Sequence, residues 1–146
     1  MNKLRNFLAW PRSRKRLLFR TLLLVAGVRA ALLLLPSRSV SAALTDPAPA
    51  GDADSTDWGR IREIASMISY ASRFVPGATC LTQALAARKM LSRVGQSCSL
   101  KIGVEKDARR GFRAHAWIEV DGKIAIGKVG NIRQYSVLEH RGEQLA

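Results

Sequence analysis

The spacing of apolar residues along the chain falls into three regimes. Leu17–Leu35 is a continuous Leu-, Val- and Ala-rich run that Pro36 ends, and only Arg20 and Arg29 interrupt it. From residue 57 the period becomes helical. Ile61, Ile64, Ala65, Ile68, Ala71 and Val75 form one stripe, Asp57 is placed as its N-cap, and Pro76-Gly77 stops it. A second helix opens at Thr79-Cys80-Leu81, with Leu81, Ala84, Leu85, Leu91 and Val94 as its buried face and Gly95 just past its end. Thr79 suits the N-cap, although a full capping box calls for Glu or Gln at position 82, where the chain has Thr82. After Gly95 the pattern alternates. Ser99–Val104 reads as a strand with Leu100, Ile102 and Val104 on one face, and residues 105–111 read as a charged loop. Phe112–Val120 is a second strand, Asp121-Gly122 a tight hairpin turn, and Lys123–Ile126 a third strand.

Two helices followed by an antiparallel sheet predict an α+β domain, helices packed on a small sheet, over residues 57–146. Residues 45–56, rich in Pro, Ala, Gly, Asp and Ser, predict a flexible linker. Residues 1–44 predict a basic, Leu-rich helical arm.

Charge changes the reading of that arm. The 146-residue chain carries a net +13, and residues 1–46 hold nine Lys/Arg against the single Asp46. The basic character is thus concentrated before the domain. No aromatic residues interleave with it in the manner of a nucleic-acid surface, so nucleic acid is not expected as a partner. The apolar run has the length of a membrane span. Its longest uncharged stretch, Thr21–Val28, is nevertheless too short, and an arginine at a helix centre costs roughly 2.5–3.5 kcal/mol on insertion scales. Ser41-Ala42-Ala43 loosely fits a signal-peptide end, but Arg29 lies inside the apolar run. The preferred expectation is a helix whose apolar face docks on a membrane surface, a partner or the main domain, with arginines in a headgroup layer.

Two cysteines and two histidines, with no CxxC, argue against a disulfide framework and a zinc site. No metal or cofactor is expected. Gly127-Lys128-Val129-Gly130 lacks the spacing of a phosphate-binding loop. A reducing cytoplasm fits this cysteine usage, with the protein peripheral to the inner membrane face if the arm binds lipid.

Cys80 falls in the first turn of its helix, where free N–H groups and the positive dipole end favour thiolate over thiol. Those N–H groups also suit an oxyanion, which makes a helix-start cysteine a natural nucleophile. The bland alternative is a small buried hydrophobe. His115, mid-strand in Arg-Ala-His-Ala-Trp, is the matching base, its alternative being a core histidine bonded to backbone. Cys98 precedes a strand with no helix end to activate it, and His140 lies in a polar tail. Spacing alone leaves four Cys–His pairings open, of which Cys80 with His115 is the one with a mechanism. Trp117 and Phe112 are expected in the core, and the Lys/Arg residues of 105–113 on a solvated loop.

The stretches PGATCLTQALAARKMLSRVG, LKIGV and FRAHAWIEVDGKIAIG, with IRQYSVL after them, resemble the lasso peptide biosynthesis B2 family, over about residues 57–138. That family is the transglutaminase-like cysteine protease of lasso-peptide maturation. The basic, Leu-rich segment ending in Leu-Leu-Pro is similar to the one that precedes its core. The resemblance implies a papain-like cysteine protease fold and cleavage of a precursor's leader. Cys80 would be the nucleophile and His115 the base. The implied partners are the precursor peptide, a separate leader-recognition protein and an asparagine-synthetase-like cyclase. The family's third residue is an Asp on the strand after the histidine strand, and Lys123–Lys128 contains no acid. Asp121 is a turn residue about 20 Å along the strand, and Glu119 about 13 Å away, at roughly 3.3 Å per residue. With a plain two-residue turn Lys128 falls opposite His115. Asn131 or a backbone carbonyl is then left as the orienter. A catalytically impaired scaffold that binds precursor or cyclase is the second reading, and a basic membrane-associated binding protein the third.

Overall fold

The computed structural model describes residues 10–36, 56–107, 111–128, 130, 133 and 135–138. Among them the element order is α1 (Arg12–Leu34), α2 (Trp58–Ser72), α3 (Cys80–Arg93), β1 (Ser99–Asp107), β2 (Gly111–Val120), β3 (Lys123–Ile126) and β4 (Ser136–Val137). The expected linker lies outside the described residues, Thr56 apart.

Asp57 caps α2 as its sequence predicts, its carboxylate accepting from the Arg60 N–H at 3.0 Å. Ile61, Ile64, Ile68 and Ala71 are buried, joined by Met67. The helix closes at Ser72, and Val75 packs from the turn that follows. α3 buries Thr82, Ala84, Ala86, Ala87, Met90 and Leu91. It lies against both other helices and against β1, β2 and β3. Three buried alanines let neighbours approach it closely from several sides, which is how a short helix can serve as the centre of the core.

The strands form one antiparallel sheet in the order β3-β2-β1-β4. Along β2, Ala116, Ile118 and Val120 enter the core shared with the helices. Alternation turns His115, Trp117 and Glu119 to the other face. β1 runs three residues past Val104, and pairs Glu105 with Arg113 and Lys106 with Phe112. Most of the expected charged loop is therefore strand, because ladder pairing satisfies backbone groups whatever their side chains carry. Here Phe112 departs from its expected place in the core. It is 76% exposed, with the Lys106 ammonium 5.9 Å from its ring centre, since the first residues of β2 extend beyond the cover of the helices.

α1 lies on α2 and α3. Thr21 and Val25 are fully buried, and the Thr21 hydroxyl donates to the Leu17 carbonyl at 2.8 Å and lies 3.7 Å from the Met90 sulfur. Trp10 packs on Tyr70 of α2, with the Arg14 guanidinium over the Trp10 ring. One apolar face of the helix is thus docked on the domain. By length and composition α1 could also cross a membrane, a property shared by signal sequences and by core helices.

Candidate active site

Cys80 is the first residue of α3, half-buried at the margin of the core. The turn before it is organised by a capping box that uses two threonines. The Thr82 N–H donates to Thr79 Oγ1 at 3.4 Å, and the Thr79 N–H donates to Thr82 Oγ1 at 3.3 Å. Thr82 does what Glu or Gln usually does because it is fully buried against the turn and needs no long reach. The box serves the N-cap and third helical positions. It leaves the N–H groups of Cys80 and Leu81 as the uncapped donors of the first turn. Arg29 of α1 reaches this turn, its guanidinium lying against Gly77.

His115 is fixed from three sides. Its Nε2 lies 2.6 Å from the Gly127 carbonyl. A carbonyl only accepts, so Nε2 carries the proton and donates it, and in the neutral ring Nδ1 keeps the lone pair. The ring stacks with Trp117 at 6.1 Å between centres and 18° between planes, and Tyr135 tilts against it at 5.7 Å. Trp117 is itself 3% exposed and donates its indole N–H to Glu119 at 2.8 Å. Opposite His115 on β1 stands Gly103. A Cβ there would lie 2.8 Å from that of Tyr135 and 2.9 Å from the Trp117 ring, so only glycine lets the two aromatics close over this face.

The acceptor on Gly127 comes from a β-bulge. β3 pairs Glu119 with Ile124 but Ile118 with Ile126, which inserts Ala125 and shifts the register by one residue. Gly127, where an unbulged ladder would put Ile126, is thereby carried beside Trp117, and Lys128 no longer falls opposite His115. With φ +86°, its backbone occupies the left-handed region, and a Cβ would lie 2.8 Å from the Ala116 carbonyl oxygen and from Trp117 Cβ.

A family model described as the transglutaminase-like superfamily matches residues 17–140, a stretch that begins within α1 and takes in every later element. The chain belongs to the transglutaminase-like superfamily. The superfamily includes cysteine peptidases. No curated protein matches the chain, and no solved structure does.

In this transglutaminase-like domain, among the described residues, three helices accompany a four-stranded antiparallel sheet, the α+β arrangement expected from the pattern. The two chemical groups are built on neighbouring elements, α3 and β2. His115 points to the sheet face away from the helix-side core, and no hydrogen bond joins it to the Cys80 sulfur among the described residues. Asp121 is a turn residue with φ 47°, and its carboxylate accepts from the Thr56 hydroxyl. Glu119 serves Trp117. Asn131 and His140 lie outside the described residues. The other cysteine is Cys98. Burial pushes its thiol up, opposed by the nearby Arg88 cation, so it stays protonated. Among the described residues no cluster of three His, Cys, Asp or Glu could hold a metal ion. Sequence reasoning did not find Gly127, Tyr135 or Gly103. Each acts through backbone register or close approach, and only the Gly127 spacing after an Asp-Gly turn hinted at its position.

Proposed function

We propose that this transglutaminase-like protein is a cysteine peptidase that removes the leader from a ribosomally made lasso-peptide precursor. The observation that carries the reading is Cys80 at the first position of α3, with its own N–H and that of Leu81 left uncapped. In the productive complex His115 Nδ1 takes the Sγ proton and the thiolate attacks the carbonyl at the leader–core junction. The uncapped N–H groups face the oxyanion that develops there. His115 returns the proton to the departing core amine, and water hydrolyses the thioester. This chemistry requires the sulfur and the imidazole to come within hydrogen-bond reach in the complex, a contact the described residues do not make. The substrate class comes from the resemblance of PGATCLTQALAARKMLSRVG and FRAHAWIEVDGKIAIG to the lasso B2 family. The proposed partners are the precursor leader, a separate recognition protein and the asparagine-synthetase-like cyclase, and the proposed setting is the cytoplasm.

Mass spectrometry of the precursor after incubation with the protein and its recognition partner tests this. Release of leader at one bond by wild type, and by neither Cys80→Ala nor His115→Ala, is the expected result. Wild type cleaving no better than Cys80→Ala, with partner binding demonstrated, would refute it. Two observations favour a second reading, a scaffold that binds precursor or cyclase: the acid absent from Lys123–Lys128, and the unmade bond between Cys80 and His115. That reading expects precursor binding to persist in Cys80→Ala with no cleavage by any variant.

A further inference from the structure

α1 has a second face. Its docked side carries Thr21 and Val25. The opposite side presents Arg12, Arg16, Phe19, Arg20, Leu23, Leu33 and Leu34 to solvent, and Leu34 is 82% exposed. These positions fall on one helical stripe, cationic in its first half and hydrocarbon in its second. Among the described residues such an array of exposed large side chains is unusual for a water-facing surface. The helix carries six Lys/Arg and no acid. We propose that this face docks the protein on an anionic lipid surface, with Leu23, Leu33 and Leu34 in hydrocarbon and Arg12, Arg16 and Arg20 among the phosphates.

Three arguments select a lipid surface. The mid-helix burial of Thr21 and Val25 against α3 rules out a helix wrapped by lipid on all sides, so the helix lies in the interface and does not span. Arg20 and Leu34 are separated by about 21 Å at 1.5 Å per residue, so a tilt of roughly 25° sinks the leucine end about 9 Å below the arginines. That depth is within the range of interfacial helices. A second copy would have to set arginines against arginines in a parallel pairing, or against leucines in an antiparallel one. Anionic headgroups instead complement the cationic half while acyl chains cover the other. Because Arg29 of the same helix lies against Gly77, three residues before Cys80, docking would hold the Cys80 turn near the bilayer. The inference does not rest on the peptidase reading.

The test is flotation of the full chain, synthesised in a cell-free system with vesicles present. One set of vesicles is phosphatidylcholine alone, the other one-third phosphatidylglycerol. Wild type is expected to float with the anionic vesicles and to be released by alkaline carbonate. The double variant Leu23→Glu/Leu34→Glu should lose roughly tenfold or more in partition, as removing two leucines from hydrocarbon requires, with its thermal melt unchanged. Replacing Arg12, Arg16 and Arg20 by Gln should abolish the preference for phosphatidylglycerol. Wild type remaining unfloated with both vesicles, flotation insensitive to the leucine variant, or carbonate-resistant insertion would each overturn the proposal. So would a dimer by light scattering that the leucine variant dissolves, which would assign the face to a second copy.

Discussion

Gly127→Ala is the substitution that tests the architecture of the histidine most directly. Gly127 sits at φ +86°, and a non-glycine residue in left-handed backbone costs about 1–3 kcal/mol. The added methyl would also lie 2.8 Å from the Ala116 carbonyl oxygen and from Trp117 Cβ. Neither can step aside, since Ala116 is in the core and Trp117 is buried between His115 and Glu119. Overpacking of this kind costs about 1–3 kcal/mol. The sum, about 2–6 kcal/mol, corresponds to a Tm lowered by roughly 5–20 °C in a chain of this size. Relief requires Gly127 to move, and its carbonyl then leaves His115 Nε2. The assay pairs thermal denaturation with NMR of the imidazole Nε2–H, whose slow exchange reports the bond to the carbonyl. Combining Gly127→Ala with His115→Ala separates the two effects. The strain persists in the double variant, while the energy of the lost hydrogen bond is shared between the two changes and counts once. An unchanged Tm together with a retained Nε2–H signal in Gly127→Ala would refute the account of the bulge.

The remaining predictions address other parts of the molecule. Burial raises the Cys98 thiol above its unfolded value, so the stability it contributes is complete at lower pH and is lost as pH rises beyond about 9. Denaturant titrations should show this alkaline loss in wild type and less of it in Cys98→Ala, and identical profiles would refute the assignment. Thr79→Ala removes the cap of α3 and should cost about 0.5–2 kcal/mol in chemical denaturation. Val25→Asp places a charge at a fully buried position and should abolish cooperative unfolding, whereas Leu23→Asp, on the exposed face, should leave the melt in place. Equal tolerance of both would mean that α1 is not docked on the domain.

Which features could be read in advance follows from how local their causes are. The α2 stripe of Ile61, Ile64, Ile68 and Ala71, the Asp57 cap and the Asp121-Gly122 turn each depend on a few neighbouring residues, and each is found where the pattern puts it. Ala84 is buried as the pattern puts it, but Ala86 and Ala87 are not marked by it, because an alanine-rich helix looks the same on every side until its neighbours are known. Phe112 was misplaced because a hydrophobic side chain on a strand carries no sign of where the helices above it stop. The position of Cys80 at the start of α3 was legible from the Pro-Gly-Ala-Thr that precedes it. The partner of His115 was legible only as a class, a side-chain amide or a backbone carbonyl, because a single inserted residue in β3 decides which group arrives opposite the ring.

That partner bears on how much activity a missing acid removes. A carboxylate opposite a catalytic histidine does two separable things: it selects the tautomer, and it stabilises the imidazolium that forms during proton transfer. The Gly127 carbonyl performs the first as well as a carboxylate, because it can only accept and so obliges Nε2 to donate. A side-chain amide in that place could turn its NH2 toward the ring and select the wrong tautomer, which a peptide carbonyl fixed just past the end of β3 cannot do. The second role is weaker. The imidazolium's bond to the carbonyl is itself charge-assisted, so what is missing is the Coulomb attraction of a carboxylate, up to about 4 kcal/mol at about 4 Å in a partly exposed site. That corresponds to as much as roughly a thousandfold in rate. The absent acid therefore calls for a slower peptidase under the proposed mechanism, not an inert one. A leader peptidase acts on a substrate delivered by a recognition protein, and held proximity offsets a loss of that size. Single-turnover cleavage slowed by much more than this, with His115 still bonded to Gly127, would move the balance to the scaffold.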